Sequence, residues 1–114
     1  MTFRGNIEQL TLRNNNFRKV LHTTKNMQMV LMSLEPGDEI GFETHTKTSQ
    51  FIRVEAGKAV AVIKGKRFNL QDGDAIIIPP GARHNITSTG DEPLKLYTIY
   101  TPPEHEINFS QRYS

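Results

Sequence analysis

Four side chains of types that bind metal ions occur in two parts of the sequence: Glu43, His45, Gln50 and His84. Glu43 and His45 are two residues apart in a segment with strand-like alternation, so their side chains are expected on the same face, as two ligands of one ion must be. Two imidazoles and a carboxylate suit iron, manganese, nickel, zinc or cobalt, and a glutamine oxygen is a weaker, neutral donor. The set predicts a site for one divalent transition metal.

The other two residues need particular chain paths to reach that face. Gln50 is five residues after His45, an odd offset that would put it on the opposite face of a continuous strand, but the polar residues 46–49 predict a loop that resets the phase. His84 follows Pro-Pro-Gly at 79–81, a turn signal because proline cannot donate to a ladder and glycine accepts a positive φ. A barrel would return His84 over the first three residues.

The elements that position these residues are short strands. Period-two alternation interrupted by turn residues predicts an all-β sandwich or barrel, and no long helix is expected. The continuously apolar run 75–78 predicts a strand covered on both faces, and Gly57 with Lys58 predicts a tight hairpin turn. The expected strands are 7–12, 17–22, 27–34, 40–45, 50–55, 59–63, 67–70, 75–78, 84–88 and 94–100.

The spacing of these residues resembles the first of two cupin motifs: glycine, five residues, His-x-His, three or four residues, Glu, six residues, glycine. Here five residues separate Gly37 from Glu43. After His45 come four residues, Gln50, six residues and Gly57. Glu43 stands in the first histidine's place and Gln50 in the place of the glutamate. The carboxylate and the neutral donor look exchanged between these two positions.

The second cupin motif is matched more closely. It consists of glycine, five residues, Pro-x-Gly, two residues, His, three residues and Asn. The sequence has Gly73, then Pro-Pro-Gly at 79–81, then His84, with Ser88 in place of the asparagine. Two motifs at suitable separation are far more specific than either alone.

The resemblance, which covers about residues 37–103, implies the fold and the ligand set. It implies a double-stranded β-helix, or jelly-roll, barrel in a single domain of residues 1–114. The barrel core is expected over about residues 26–103, N-terminal strands over 7–22 and a frayed or neighbour-covering tail over 104–114. It also implies metal ligation by His45 and His84, with Glu43 and Gln50 matching by position, and association into a homodimer.

Composition excludes several other classes of protein. The chain has no cysteine, so neither disulfides nor a thiolate zinc site are possible. Its net charge is +2 with dispersed basic residues, so no nucleic-acid partner is expected. The start lacks the apolar core of a signal peptide, and no apolar run approaches the roughly 20 residues that cross a bilayer, so we expect a cytoplasmic protein without a membrane partner.

Each candidate ligand also has a structural interpretation. Gln50 could be satisfied by backbone groups alone, and His22 and His105 lie outside the motifs, so we assign them surface or core roles. The sequence indicates no second catalytic group beyond Glu43, a tyrosine or metal-bound hydroxide. Side chains that could line a pocket or belong to the core are Met32, Phe51, Ile52, Tyr97 and Tyr100.

Three functions fit this sequence, and the sequence does not decide whether the protein is an enzyme. The first is a metalloenzyme of dioxygenase or isomerase/lyase type that acts on a small oxygen-rich organic molecule. The second is a non-catalytic module in which the metal is structural or captures a small ligand. The third, a metal-free architectural barrel, leaves the inward-facing charge of Glu43 without a partner. One carboxylate against a divalent cation would leave a positive site that attracts an anionic ligand.

Overall fold

The computed structural model describes residues 1–107 and 109–114, and within them it has one short helix and nine strands. The elements are α1 (Ile7–Arg13), β1 (Arg18–Thr23), β2 (Gln28–Leu34), β3 (Ser49–Ala56), β4 (Ala59–Ile63), β5 (Lys66–Leu70), β6 (Ala75–Ile78), β7 (His84–Ser88), β8 (Leu94–Thr101) and β9 (Ser110–Gln111).

The strands form two antiparallel sheets. The larger sheet has six strands in the order β6-β3-β8-β2-β1-β9, and the smaller has three in the order β5-β4-β7. Isolated bridges from Glu39 to Thr87 and from Glu43 to His84 add the segment before β3 to the free side of β7. The all-β, jelly-roll prediction is confirmed.

The core lies between the sheets and follows the alternation of the strands. In β8 every second residue from Leu94 to Tyr100 is buried, and in β3 the same holds from Gln50 to Val54. Most of these inward side chains are apolar, so the sheets join over a hydrophobic interior. Polar side chains are buried at one end only of these two strands, where Gln50 and Tyr100 are paired in register.

The N-terminal strand expected at 7–12 is wrong, because residues Ile7–Arg13 form a helix. Asn6 caps it, its Oδ1 accepting from the backbone N–H of Gln9 at 3.0 Å. Glu8 lies in the first turn and Arg13 in the last, where each charge complements the helix dipole. The spacing of Ile7, Leu10 and Thr11, the inward-facing residues, fits a helix at least as well as a strand; the cap decides between them.

The expectation that residues 75–78 are covered on both faces is also wrong. In the described residues β6 pairs only with β3, at the edge of the large sheet. Ile78 is 2% exposed, whereas Ile77 is 67% exposed. A continuous apolar run therefore does not distinguish a strand that is covered on both faces from an edge strand with one exposed apolar face.

Gly57 does make a turn, but the turn is not a hairpin. β3 belongs to the large sheet and β4 to the small one, so the chain crosses between sheets at this point. Gly57 has a φ of +96°, and a Cβ there would lie 2.8 Å from the carbonyl oxygen of Pro93. The close approach of two backbones explains why glycine is needed here.

The tail expected to be frayed or to cover a neighbour folds back onto its own chain. Its strand β9 pairs with β1, and the backbone N–H of Val20 donates to the carbonyl of Phe109 at 2.9 Å. The strand expected at 40–45 is replaced by an extended segment with isolated bridges. Within the described residues, no helix is long and apolar enough to cross a membrane.

Candidate metal centre

Glu43 and His84 come from different parts of the chain and are held as a backbone pair. The N–H of each donates to the carbonyl of the other at 2.9 Å, so their side chains project from the same face. Asn85 fixes the segment before Glu43, accepting from the N–H of Gly41 at 2.8 Å and donating to Glu39 Oε1 at 3.0 Å. The first motif is thereby attached to the strand that carries the second.

His45 lies against the same two residues. Its carbonyl accepts from the N–H of Gly81 at 2.8 Å, which ties it to the turn that precedes His84. Its Nε2 is 4.0 Å from Glu43 Oε1, and its ring centroid is 5.3 Å from that of His84. One possible ligand atom from each of Glu43, His45 and His84 lies within 4.8 Å of the others. These three residues could hold a metal ion.

Three predicted ligands each have one buried atom without a hydrogen-bond partner among the described residues: Nε2 of His45, Nε2 of His84 and Oε1 of Gln50. Nε2 of His105, which is not in the predicted ligand set, is also buried without one. Nδ1 of His84 is 2.9 Å from the carbonyl oxygen of Ala82, which only accepts, so Nδ1 carries the proton and Nε2 presents a lone pair. Buried acceptors without donors are costly. A cation that binds them would remove the cost, so the residues present fit a metal.

The cupin-domain family model matches residues 30–100, which is more than half of the chain. The chain belongs to the cupin family. The recognised region contains all four residues of the proposed ligand set and excludes α1 and the tail. The family model therefore says nothing about the role of α1 or the tail, which has to be inferred from their contacts in this cupin.

The relatives of this cupin are similar over most of its length. It is 44% identical over 106 residues to the uncharacterized protein YrkC of Bacillus subtilis, covering 88% of this chain and 57% of YrkC. It is 42% identical over 104 residues to the uncharacterized protein L612 of Acanthamoeba polyphaga mimivirus, covering 88% and 65%. The chain thus spans less than two thirds of either relative.

Solved structures and distant relatives extend the comparison. The crystal structure of BH2720 from Bacillus halodurans has 39% identity and a TM-score of 0.98, covering 99% of this chain and 90% of that one. Among distant relatives is gentisate 1,2 dioxygenase 1 of Aquipseudomonas alcaligenes, 27% identical over 85 residues, which are 75% of this chain and 24% of the enzyme.

Gln50 reaches the site from the large sheet, where the hydroxyl groups of Thr98 and Tyr100 contact its amide. Nε2 donates to Thr98 Oγ1 at 3.0 Å and to the Tyr100 hydroxyl at 3.3 Å, which uses both N–H groups and leaves Oε1 free. The expected change of phase in the loop 46–49 is observed, because Gln50 is 2% exposed and His45 is 9% exposed. The side chain of Gln50 is therefore suited to be an oxygen donor.

Tyr100 contacts both Gln50 and His45. Its ring meets that of His45 edge-on at 5.6 Å between centroids. Burial, with smaller contributions from Glu43 and Glu104, raises the pKa of the Tyr100 phenol above its ordinary value, although Arg18 opposes the shift. The phenol consequently stays protonated at neutral pH and can serve as a hydrogen-bond donor.

His105 lies closer to the centre than the sequence indicates. Its ring meets Tyr100 edge-on at 5.3 Å and stacks on Phe109 at 5.5 Å. Burial, then Arg18 and His45, lowers the pKa of His105 while Glu104 opposes the shift, so the imidazole is neutral at neutral pH. No motif covers this residue; only the folded path of the tail brings it to Tyr100.

Glu104 is the acid that sequence analysis missed. Its Oε1 is 3.4 Å from His45 Nδ1, across a separation in the chain that no local pattern reveals. The expectation of a positive site counted Glu43 alone. With Glu104, two carboxylates lie beside the histidines, and a divalent ion would bring the formal charge of the group to about zero. His22, in contrast, is elsewhere, with Nε2 3.1 Å from the Met1 carbonyl oxygen.

Proposed function

We propose that this cupin binds one divalent transition metal through Glu43, His45, Gln50 and His84 and uses it as a small metalloenzyme. The substrate is a small oxygen-rich organic molecule, and the reaction is of dioxygenase or isomerase/lyase type. The supporting observation is that one possible ligand atom from each of Glu43, His45 and His84 lies within 4.8 Å of the others, and that Nε2 of both histidines is buried with no partner among the described residues. Iron, manganese, nickel, zinc and cobalt all accept such nitrogen and oxygen donors.

A bound ion would supply Lewis acidity or, for a redox-active metal, activation of dioxygen. The chain's own residues would bind and orient the substrate. Tyr100 would donate its phenolic proton in a hydrogen bond to a substrate oxygen, and its burial keeps that proton in place. His105 has a neutral imidazole one ring away, a group of the type that proton transfer requires. Two such groups support an enzyme more than the sequence alone does.

The test is turnover by metal-loaded protein with a panel of keto acids, sugar phosphates and aromatic diols. Product is measured by NMR and dioxygen consumption with an electrode, with the metal-free protein and His84→Ala as controls. Metal-dependent turnover that His84→Ala loses would support the enzyme. Saturable binding without turnover would favour the second candidate, a non-catalytic ligand-binding module, and would contradict catalysis.

Gln50→Glu is expected to tighten metal binding by roughly tenfold, because a charged oxygen donor replaces a neutral one at an unchanged chain length. The metal-free variant should be less stable than wild type, since a carboxylate would then occupy a position that is only 2% exposed. Both effects can be measured, the first by competition with a chromophoric chelator and the second by chemical denaturation. Unchanged affinity would remove Oε1 of residue 50 from the ligand set.

Self-association into a homodimer is part of the same proposal. The large sheet does not need it to cover β1, because β9 already lies there. Support comes instead from apolar side chains at the strand edges: Phe68 on β5 is 40% exposed and Ile77 on β6 is 67% exposed. Light scattering should give a molar mass twice the 13.0 kDa of the chain. The Ile77→Lys variant should have a lower measured mass, because a charge would replace an apolar contact. A wild-type monomer would contradict the proposal.

A further inference from the structure

The tail after β8 crosses the end of the barrel that holds the histidines. Glu104 lies in it, with Oε1 3.4 Å from His45 Nδ1. The His45 side chain is 9% exposed and that of Glu104 is 33% exposed, so the contact forms where the protein shields one partner and part of the other. Nothing in the cupin motifs accounts for an acid at this position.

The backbone of this part of the tail is fixed by one buried side chain. Gln28, which is 0% exposed, accepts from the N–H of Glu104 at 3.0 Å and from the N–H of His105 at 2.8 Å. Its Nε2 donates to the His105 carbonyl at 2.7 Å and to Thr23 Oγ1 at 3.1 Å. The amide therefore uses its oxygen and both of its N–H groups. The backbone of Glu104 is thereby held at a defined position relative to the barrel, and its side chain starts from a fixed point beside His45.

In both His45 and His84, the ring nitrogen Nδ1 lies beside an oxygen atom that can accept a hydrogen bond. His84 Nδ1 is 2.9 Å from a carbonyl oxygen, that of Ala82, and His45 Nδ1 faces the Glu104 carboxylate instead. In both rings the other nitrogen, Nε2, is buried and has no partner among the described residues. An acceptor at Nδ1 favours the tautomer whose Nε2 carries a lone pair.

We infer that Glu104 is a positioning residue that holds His45 in the Nδ1–H tautomer and orients its Nε2 into the metal centre. The inference rests on the proposed ligation by His45 and deepens it. Histidines that bind metals commonly donate their second N–H to a carboxylate or carbonyl, and loss of such a partner typically costs 10–100-fold in metal affinity. The tail thus contributes to the centre without supplying a ligand.

The first measurement is the tautomer of His45 in metal-free protein, from nitrogen-15 chemical shifts at alkaline pH, where imidazoles are neutral. Wild type should show a protonated Nδ1 and an unprotonated Nε2. Glu104→Ala should shift His45 toward the Nε2–H form, whereas Glu106→Ala, a change at an exposed acid in the same segment, should leave it unchanged. A purely structural role for Glu104 would not alter the tautomer. An unchanged tautomer in Glu104→Ala overturns the inference.

The second measurement is the affinity for cobalt, by competition with a chromophoric chelator. Glu104→Ala should weaken binding about 10–100-fold, and Glu104→Gln should weaken it less, because an amide oxygen in the same place can also accept from Nδ1. The control Glu106→Ala should bind as wild type does. Equal affinity in wild type and Glu104→Ala overturns the inference and leaves the metal site intact. Absence of binding by wild type overturns the proposed metal site itself, even where the tautomer changes.

Discussion

His84→Ala is expected to lower the metal content of the purified protein from about one ion per chain to almost none. In the proposed site His84 would supply one of two nitrogen donors, and it is the one proposed ligand that comes from the second motif. Its Nε2 is buried with no partner among the described residues, and His84 is 1% exposed, so solvent does not readily supply a replacement. Elemental analysis of both proteins, purified in parallel, measures the effect.

His22→Ala is the matched control for that experiment. His22 is also an imidazole on a strand, but its Nε2 lies beside the carbonyl oxygen of Met1, and it is not part of the group formed by Glu43, His45 and His84. The His22→Ala variant should keep its full metal content. Retention of a full equivalent by His84→Ala would remove His84 from the site.

Saturation with metal is expected to raise the thermal stability of the wild-type protein. Free metal at about 100 times its dissociation constant stabilises the folded state by about 2.7 kcal/mol, which corresponds to roughly 10 °C in Tm for a domain of this size. The positions of the proposed ligands explain why the whole fold should respond: Gln50 lies on the large sheet and His84 on the small one, so a bound ion would join both. Differential scanning calorimetry with and without metal measures the shift.

Two controls give this shift a specific interpretation. A chelator should reverse it, and His84→Ala should show none. The shift should also shrink at acid pH, since histidine and carboxylate ligands must lose their protons to bind a metal. An equal shift in His84→Ala would place the stabilising ion elsewhere on the chain.

The central part of the site could be predicted from the sequence because it depends on short-range rules. The period of a strand puts Glu43 and His45 on one face, and a Pro-Pro-Gly turn precedes His84. In the structure the same turn contacts His45 through Gly81. Glu43, His45 and His84 converge as expected, and their ligation of a metal stays a prediction.

Other features depend on pairing between distant segments, which no local pattern specifies. Glu104 and His105 lie beside the centre because Gln28 binds their backbone from 76 and 77 residues away. Ile77 is exposed because it points away from the core, on the face of β6 opposite the buried Ile78, and an unbroken apolar run does not indicate which face stays uncovered. The helix at Ile7–Arg13 is different: its Asn6 cap and the placement of its charges are local signals that favour a helix over the strand expected from alternation.

The most direct test of the account is an anomalous difference map from crystals of the cobalt-loaded protein. It should show one strong peak about 2.0–2.2 Å from Nε2 of His45, Nε2 of His84 and a carboxylate oxygen of Glu43, with Oε1 of Gln50 completing the set. A peak beside other residues, or the absence of any peak at saturating cobalt, would contradict the proposed metal centre.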